Sequence, residues 1–269
     1  MYKLLAIDID GTLIKNDGEI SSKVKEAIQK VKEQGVKVVL VTGRPIGGIA
    51  PFVKELGLNQ EGDFAITYNG AYLVNTHTGE AVYKNFLTYD DLTRLYALSQ
   101  ELEAPMHYFG VDQLYAPDKD IHFYTIREAY ENNISIQYQP IKELAKDFQV
   151  PKVMFIDYPD RLSQTIESVP DLMKKRYTMV RSAPHFYEVL HSEVSKGMVL
   201  KKLLDQLSIA REDVIAIGDG ENDLSMIKLA GCGVAMGNAM PSVKEAADYE
   251  TLSNDEDGVA HALERFILS

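Results

Sequence analysis

Tyr2-Lys3-Leu4-Leu5-Ala6-Ile7-Asp8-Ile9-Asp10-Gly11-Thr12 joins a mostly apolar run of strand length to two acids, a glycine and a hydroxyl. Side chains alternate along a strand, so Asp8 and Asp10 are expected to leave the backbone on one side and share one small space. Like charges that close repel strongly unless a cation or a proton separates them, so the pair implies a metal, a raised pKa, or both. Gly11 allows a tight bend just after the acids, and Thr12 sets a hydroxyl beside them. Alone, the pentapeptide also fits an ordinary turn at a strand end. The rest of the chain decides.

Outward from this stretch, Ser21 and Ser22 precede Val24, Ala27, Ile28 and Val31, the spacing of one helix face, and Gly35 follows as a C-terminal cap. Residues 36–41 read as a buried strand, which completes a parallel strand-helix-strand crossover. It ends in Thr42-Gly43-Arg44-Pro45, with Pro45 opening a helix that carries Ile49, Phe52, Val53 and Leu56. Two successive strands thus end in small polar residues and glycine, at the edge where open α/β sheets bind ligands. A third strand, 64–67, leads to Asn69-Gly70 and a hairpin bracketed by 71–74 and 81–83.

From about Lys84 the character changes. Thr88-Tyr89-Asp90-Asp91 resembles a capping box opening a helix with Leu92, Leu95, Tyr96 and Leu102 on its inner side. Short tyrosine-rich strands are expected at 106–109, 113–115, 153–156, 177–180 and 186–190, with helices at 121–131 and 160–169. Regular alternation returns with a helix at 196–207, a strand at 214–217, a helix at 224–229, a strand at 233–235 and helices from Pro241 and Val259. No Gly-, Ser- or Pro-rich linker sets the middle portion apart, so it reads as an α+β insertion into one α/β domain.

The 269 residues are 45% hydrophobic and 25% charged, which allows a sizeable core. A net charge of -12 argues against a nucleic-acid or anionic-membrane surface, and any anion bound here needs positive charge concentrated locally. Cys232 is the single cysteine, so neither a disulfide framework nor a cysteine zinc site is expected. No stretch approaches the ~20 apolar residues of a membrane span. The expectation is a cytoplasmic protein, a monomer or weak homo-oligomer, without nucleic-acid or membrane partners.

Ile217-Gly218-Asp219-Gly220-Glu221-Asn222-Asp223 is a second acidic cluster at the end of an apolar strand. A solvated turn, with Asn222 or Asp223 capping the next helix, is its plain reading. Paired with Asp8-x-Asp10 at another strand end, it gains a chemical one. Oxygen-rich clusters without His or Cys suit Mg²⁺. A carboxylate such as Asp8 needs no base to act as a nucleophile at neutral pH, whereas Asp10 must hold a proton to act as a general acid. A phosphoryl group entering so acidic a pocket needs donors and a cation, which Thr42, Gly43 and Ser195-Lys196-Gly197 supply.

D-x-D-G-T, T-G-R, S-K-G and G-D-G-E-N-D, in this order, resemble the haloacid dehalogenase superfamily of phosphohydrolases, and more closely its Cof-type sugar-phosphatase branch. Gly-Val-Ala-Met-Gly-Asn-Ala, at 233–239, is also similar to that branch. The resemblance implies a Rossmann-like, doubly wound, mainly parallel α/β core at 1–83 and 190–269, with a smaller α+β cap inserted at 84–189. It implies that Asp8 attacks phosphorus to form an aspartyl phosphate and that Asp10 protonates the leaving alcohol, then activates water. Thr42 and Lys196 would hold phosphoryl oxygens. Mg²⁺ would sit on Asp219, the Asp8 carboxylate and the Asp10 backbone carbonyl, with Asp223 assisting directly or through a water. Gly11, Gly43, Arg44 and Asn222 complete the phosphate and substrate set. The implied partner is a small phosphorylated metabolite, with a phosphomutase or a non-catalytic phosphometabolite sensor as alternatives.

Eleven of the fifteen tyrosines lie between Tyr83 and Tyr187, which could suit a sugar phosphate but also suits strands in a small mixed domain. Arg44, Asn69, His122, Arg127, Arg181 and His185 are further candidates to reach a substrate, though an exposed or satisfied polar role is the simpler reading of each.

Overall fold

The computed structural model describes residues 2–268. The chain runs through β1 (Leu4–Ile7), α1 (Ser22–Glu33), β2 (Lys37–Val41), α2 (Ile46–Glu55), β3 (Phe64–Thr67), β4 (Tyr72–Asn75) and β5 (Ala81–Lys84). Next come α3 (Tyr89–Glu101), β6 (Met106–Phe109), β7 (Leu114–Ala116), α4 (Phe123–Glu131), β8 (Ile136–Tyr138), β9 (Val153–Ile156), α5 (Pro159–Ser168), α6 (Asp171–Arg176), β10 (Tyr177–Ala183) and β11 (Phe186–His191). The last part holds α7 (Lys196–Leu207), β12 (Val214–Gly218), α8 (Leu224–Ile227), β13 (Cys232–Ala235), α9 (Pro241–Ala246), β14 (Tyr249–Glu250) and α10 (Gly258–Phe266). Two compact units result. One extends through Gly43, takes in Pro51–Val82 and resumes at Ser195; the other comprises Arg44–Ala50 and Tyr83–Val194.

The first unit is a Rossmann-like, doubly wound α/β fold. Its sheet has the order β14-β13-β12-β1-β2-β3-β4-β5. Pairing is parallel from β14 through β3, and β4 turns back antiparallel on β3. Leu4, Leu5 and Ile7 are wholly buried. Each such side chain is worth about 1.5–3 kcal/mol on burial, which lets a four-residue strand hold the middle of the sheet. From β1 the chain crosses to β2 on one side, and it returns to β12 on the other. Strand order therefore reverses at β1, and the carboxyl ends of β1, β2 and β12 open on the crevice that such a reversal creates.

The second unit has a six-stranded sheet, β10-β11-β9-β6-β7-β8, antiparallel except for β7 on β8. Met106, Tyr108, Val153, Phe155, Tyr187 and Val189 pack with Leu92, Leu95, Leu98 and Leu162 in one apolar core. By strand alternation the intervening residues His107, Phe109, Met154, Phe186 and Glu188 point to the opposite face. There Lys152 and Glu188, both nearly fully buried, pair at 3.2 Å, and His107 Nδ1 meets Thr125 Oγ1 at 3.1 Å. The capping box expected at Thr88 is present, with Asp91 as its reciprocal partner.

Three elements have no counterpart in the sequence expectation: β8, α6 and β14. Each buries too little to leave an apolar pattern: in β8 only Ile136 is even half-buried, in α6 only Met173 is buried, and in β14 no side chain is fully buried. The helix expected at 224–229 stops at Ile227, with a 3-10 turn over Glu221–Asp223 before it. Among the described residues no helix is long and apolar enough to cross a membrane.

Burial holds the His107 imidazole down at about 3, with Lys152 and His122 pushing the same way, and its Nε2 has no hydrogen-bond partner. The unfolded chain takes up this proton below about pH 6.5 while the native state does not, so His107 costs stability as pH falls through that value. By linkage, wild type should lose about 2–3 kcal/mol more than His107→Gln between pH 6.5 and 4.5. Urea unfolding across that range measures it, and parallel acid limbs for the two proteins would exclude His107 as the group responsible.

Candidate active site

β1 ends at Ile7, and the Asp8 N–H donates to the Ile217 carbonyl at 3.1 Å, which fixes the acid at the end of β12 as well as of β1. Ile9–Leu13 then forms a wide turn in which Gly11 has φ +74. Asp10 stays near Asp8, and its charge helps to raise the carboxyls of both Asp8 and Asp219. The strand is already over, so Asp8 is buried while Asp10 is exposed. Gly11 is required twice, by its left-handed backbone and because a Cβ there would overlap the Asp219 carboxylate.

Asp219 follows β12 and accepts from the Thr12 hydroxyl at 2.8 Å. Four residues on, Asp223 Oδ2 accepts from the Asp219 and Gly220 N–H groups at 3.0 Å each, so this loop closes on its own carboxylate. A side chain at Gly218 would strike Asp223. Lys196 opens α7, which Ser195 caps through the Met198 N–H. Its stem is buried because α7 lies against α8, where a Cβ at Gly197 would overlap the Ser225 carbonyl. The ammonium donates to Asp8 Oδ1 and to Asp223 Oδ1, both at 2.6 Å. Carboxylate oxygens of Asp8, Asp219 and Asp223 lie within 4.8 Å of one another.

Three carboxylates against one ammonium leave negative charge in excess. Burial drives the Asp8 carboxyl well above the usual carboxylate range, Asp223 adds to this, and Lys196 opposes it only in part. Asp219 is pushed up to about 6, first by burial and then by Asp223, against the Thr12 hydrogen bond. Burial favours a neutral Lys196, yet Asp223 and Asp8 outweigh it and hold the ammonium above the usual lysine range. The two shifts pull against each other across one ion pair. Lys196 meets two carboxylates at 2.6 Å, so we place the extra proton among the acids. A hard divalent cation would cancel that excess, and an all-oxygen donor set is the kind Mg²⁺ accepts. These residues fit the ion.

Thr42 is fully buried; its N–H donates to the Ile66 carbonyl and its own carbonyl accepts from the Asn69 N–H, both at 2.9 Å. Asn222 Nδ2 donates to Asn69 Oδ1 at 2.9 Å, and a Cβ at Gly43 would meet the Asn69 carboxamide at 3.1 Å. Thr42, Gly43 and Asn222 are thus joined through Asn69, which in sequence reads as part of an Asn-Gly turn and as a minor candidate to reach substrate, not as a link between motifs. Asn238, to which the sequence gives no role beyond its place in Gly-Val-Ala-Met-Gly-Asn-Ala, donates from Nδ2 to the Gly11 carbonyl at 2.8 Å.

The other candidates lie in the second unit. Arg44 Nη1 donates to the Gly48 carbonyl at 3.5 Å, His122 caps α4 through the Tyr124 N–H, and Arg127 pairs with Glu131. Arg181 bonds Ser163 Oγ and the Pro159 carbonyl, and His185 stacks on Tyr124 with 4.1 Å between ring centres.

A family model described as haloacid dehalogenase-like hydrolase matches residues 5–263. YxeH of Bacillus subtilis (strain 168), provisionally named a phosphatase, is 52% identical over 269 residues, covering 100% of both chains. The crystal structure of a haloacid dehalogenase-like hydrolase from Bacteroides thetaiotaomicron superposes with a TM-score of 0.88 at 38% identity, covering 99% of this chain and 100% of that one. The HAD subclass IIB sugar phosphatase BT4131 gives 0.83 at 28% identity, covering 98% of each.

Removing the ammonium alone leaves two buried acids facing each other. In EDTA at pH 7, Lys196→Met should lower the unfolding free energy by about 3 kcal/mol, and Asp8→Asn in the same chain should recover part of it. Urea titration of the three proteins checks this; a K196M variant as stable as wild type would mean the pair carries no such strain.

Proposed function

We propose, because this chain belongs to the haloacid dehalogenase-like hydrolases and is a phosphatase, that it hydrolyses monoesters of small phosphorylated metabolites, sugar phosphates foremost, using Mg²⁺. The observation that carries this reading is the Lys196 ammonium held between Asp8 and Asp223 beside Asp219. The sugar-phosphate part is supported by the likeness to BT4131, a HAD subclass IIB sugar phosphatase.

Asp8 is the nucleophile. Its carboxylate oxygen forms a bond to phosphorus as the bond to the ester oxygen breaks, and the electron pair leaves with that oxygen. Asp10, exposed next to the buried acid, delivers the proton that turns the leaving alkoxide into an alcohol. As a carboxylate it then takes a proton from the water that attacks the aspartyl phosphate. Inorganic phosphate departs and Asp8 is regenerated. Lys196, Thr42, Gly43, Gly11 and Asn222 orient the phosphoryl oxygens, and Arg44 belongs to the substrate-binding set. Asp8, Asp219, Asp223 and the Asp10 carbonyl would hold Mg²⁺, whose charge keeps Asp8 ionised and offsets the charge of the transferred group. Residues 84–189 act as the cap that selects among esters, and the free thiol of Cys232 suits a cytoplasmic setting.

Phosphate release from a panel of sugar phosphates and other phosphorylated metabolites tests the reading. Turnover should vanish in EDTA and return with Mg²⁺, and Asp8→Asn should cost on the order of 10⁴-fold in kcat. Undiminished turnover in EDTA would defeat the Mg²⁺ reading. An isomeric sugar phosphate appearing in place of free phosphate would make the enzyme a mutase.

A further inference from the structure

We propose that Asn69 is a positioning residue, one that fixes which end of the Asn222 carboxamide faces the transferred phosphoryl group; this rests on the phosphatase reading above. Tyr68, Asn69 and Gly70 have φ of 52, 55 and 102, three successive left-handed residues between β3 and β4. Two of them are not glycine, and Tyr68 in particular takes up this backbone only at a steric cost, so the surrounding contacts must hold the turn in place. Those contacts run to three of the four motif segments. The Asn69 N–H donates to the Thr42 carbonyl at 2.9 Å. Gly70 lies so close to α7 that a Cβ on it would come 2.5 Å from the Ser195 carbonyl oxygen. Asn69 Oδ1 accepts from Asn222 Nδ2 at 2.9 Å.

The last bond sets a polarity. A carboxamide presents donors at one end and an acceptor at the other, and nothing in its shape separates the two. Asn222 Oδ1 is turned back toward Gly220, where a Cβ would meet it at 2.5 Å, and Nδ2 is turned toward Asn69. One Nδ2 hydrogen is committed to Asn69, and the second can donate to an anionic oxygen. Were the group reversed, its carbonyl oxygen would face the phosphoryl oxygens and repel them. Asn69 Oδ1 rewards only the productive orientation.

Asn69→Gly keeps the left-handed backbone without steric cost and removes only the carboxamide, so it is the informative variant. With p-nitrophenyl phosphate at saturating Mg²⁺, Asn69→Gly and Asn222→Ala should each lower kcat/KM by about 10-fold, the scale of one hydrogen bond to a charged group. The double variant should lose about the same 10-fold, because the second change removes what the first has already disabled. Orthovanadate inhibition should weaken in step, while the Tm of Asn69→Gly stays near that of wild type. Losses that multiply to about 100-fold in the double variant, an Asn69→Gly variant as active as wild type, or one that no longer folds would each overturn the assignment. Wild-type turnover in the same assay reports on the phosphatase reading separately. An active wild type with independent losses removes only the role of Asn69, whereas an inactive wild type removes that reading and this role together.

Discussion

One buried ammonium, Lys196, stands between two carboxylates that are themselves buried or nearly so. Charges taken out of water in this way are costly, and they persist only when geometry is close and the remaining hydrogen bonds are satisfied. The geometry is close, with both carboxylates 2.6 Å from the ammonium. Asp223 spends one oxygen on Lys196 and the other on two backbone N–H groups of its own loop. Asp8 is tied by its N–H to β12. The arrangement still holds more negative than positive charge, which is a structural reason for a site of this kind to take a divalent cation and an anionic ligand together.

Bringing those groups together depends on places where the backbone has no side chain. Gly197 lets α7 approach α8 closely enough to deliver Lys196, Gly218 leaves room for Asp223, and Gly11 leaves room for Asp219. A chain of asparagines supports the same loop from behind. Asn254 donates its N–H to Asn238 Oδ1 and its Nδ2 to the Ile14 carbonyl, while Asn238 holds the Gly11 carbonyl. Asparagine suits this task because one side chain can bridge a donor and an acceptor on different strands of backbone.

The second unit follows a different economy. One face of its sheet is covered by apolar side chains from α3, α5 and α6, whereas the residues between them include Lys152, Glu188 and a neutral His107, all buried. Lys152 also lies 4.8 Å from the centre of the Phe109 ring, so part of its charge is met by an aromatic face as well as by Glu188. Buried polar groups of this kind make a sheet face exacting about what lies in each position.

Local pattern was enough to place the elements that bury an apolar run or face. The apolar runs of β1, β2 and β12, the face of α1 with its Ser21 cap and the capping box of α3 all stand in the sequence, because a buried run or face writes its apolar pattern into neighbouring residues. So do the acids and the lysine as residue types at strand and helix ends. Only the tertiary structure decided that Asp8 is buried while Asp10 is exposed, since that depends on where β1 stops and how Gly11 turns. Only it joined Asn69 to Thr42 and Asn222, across 27 and 153 positions, through hydrogen bonds that leave no periodic trace. β8, α6 and β14 were hidden for a different reason: mostly exposed side chains leave no apolar pattern, so these segments are placed by the neighbours they pair or pack with.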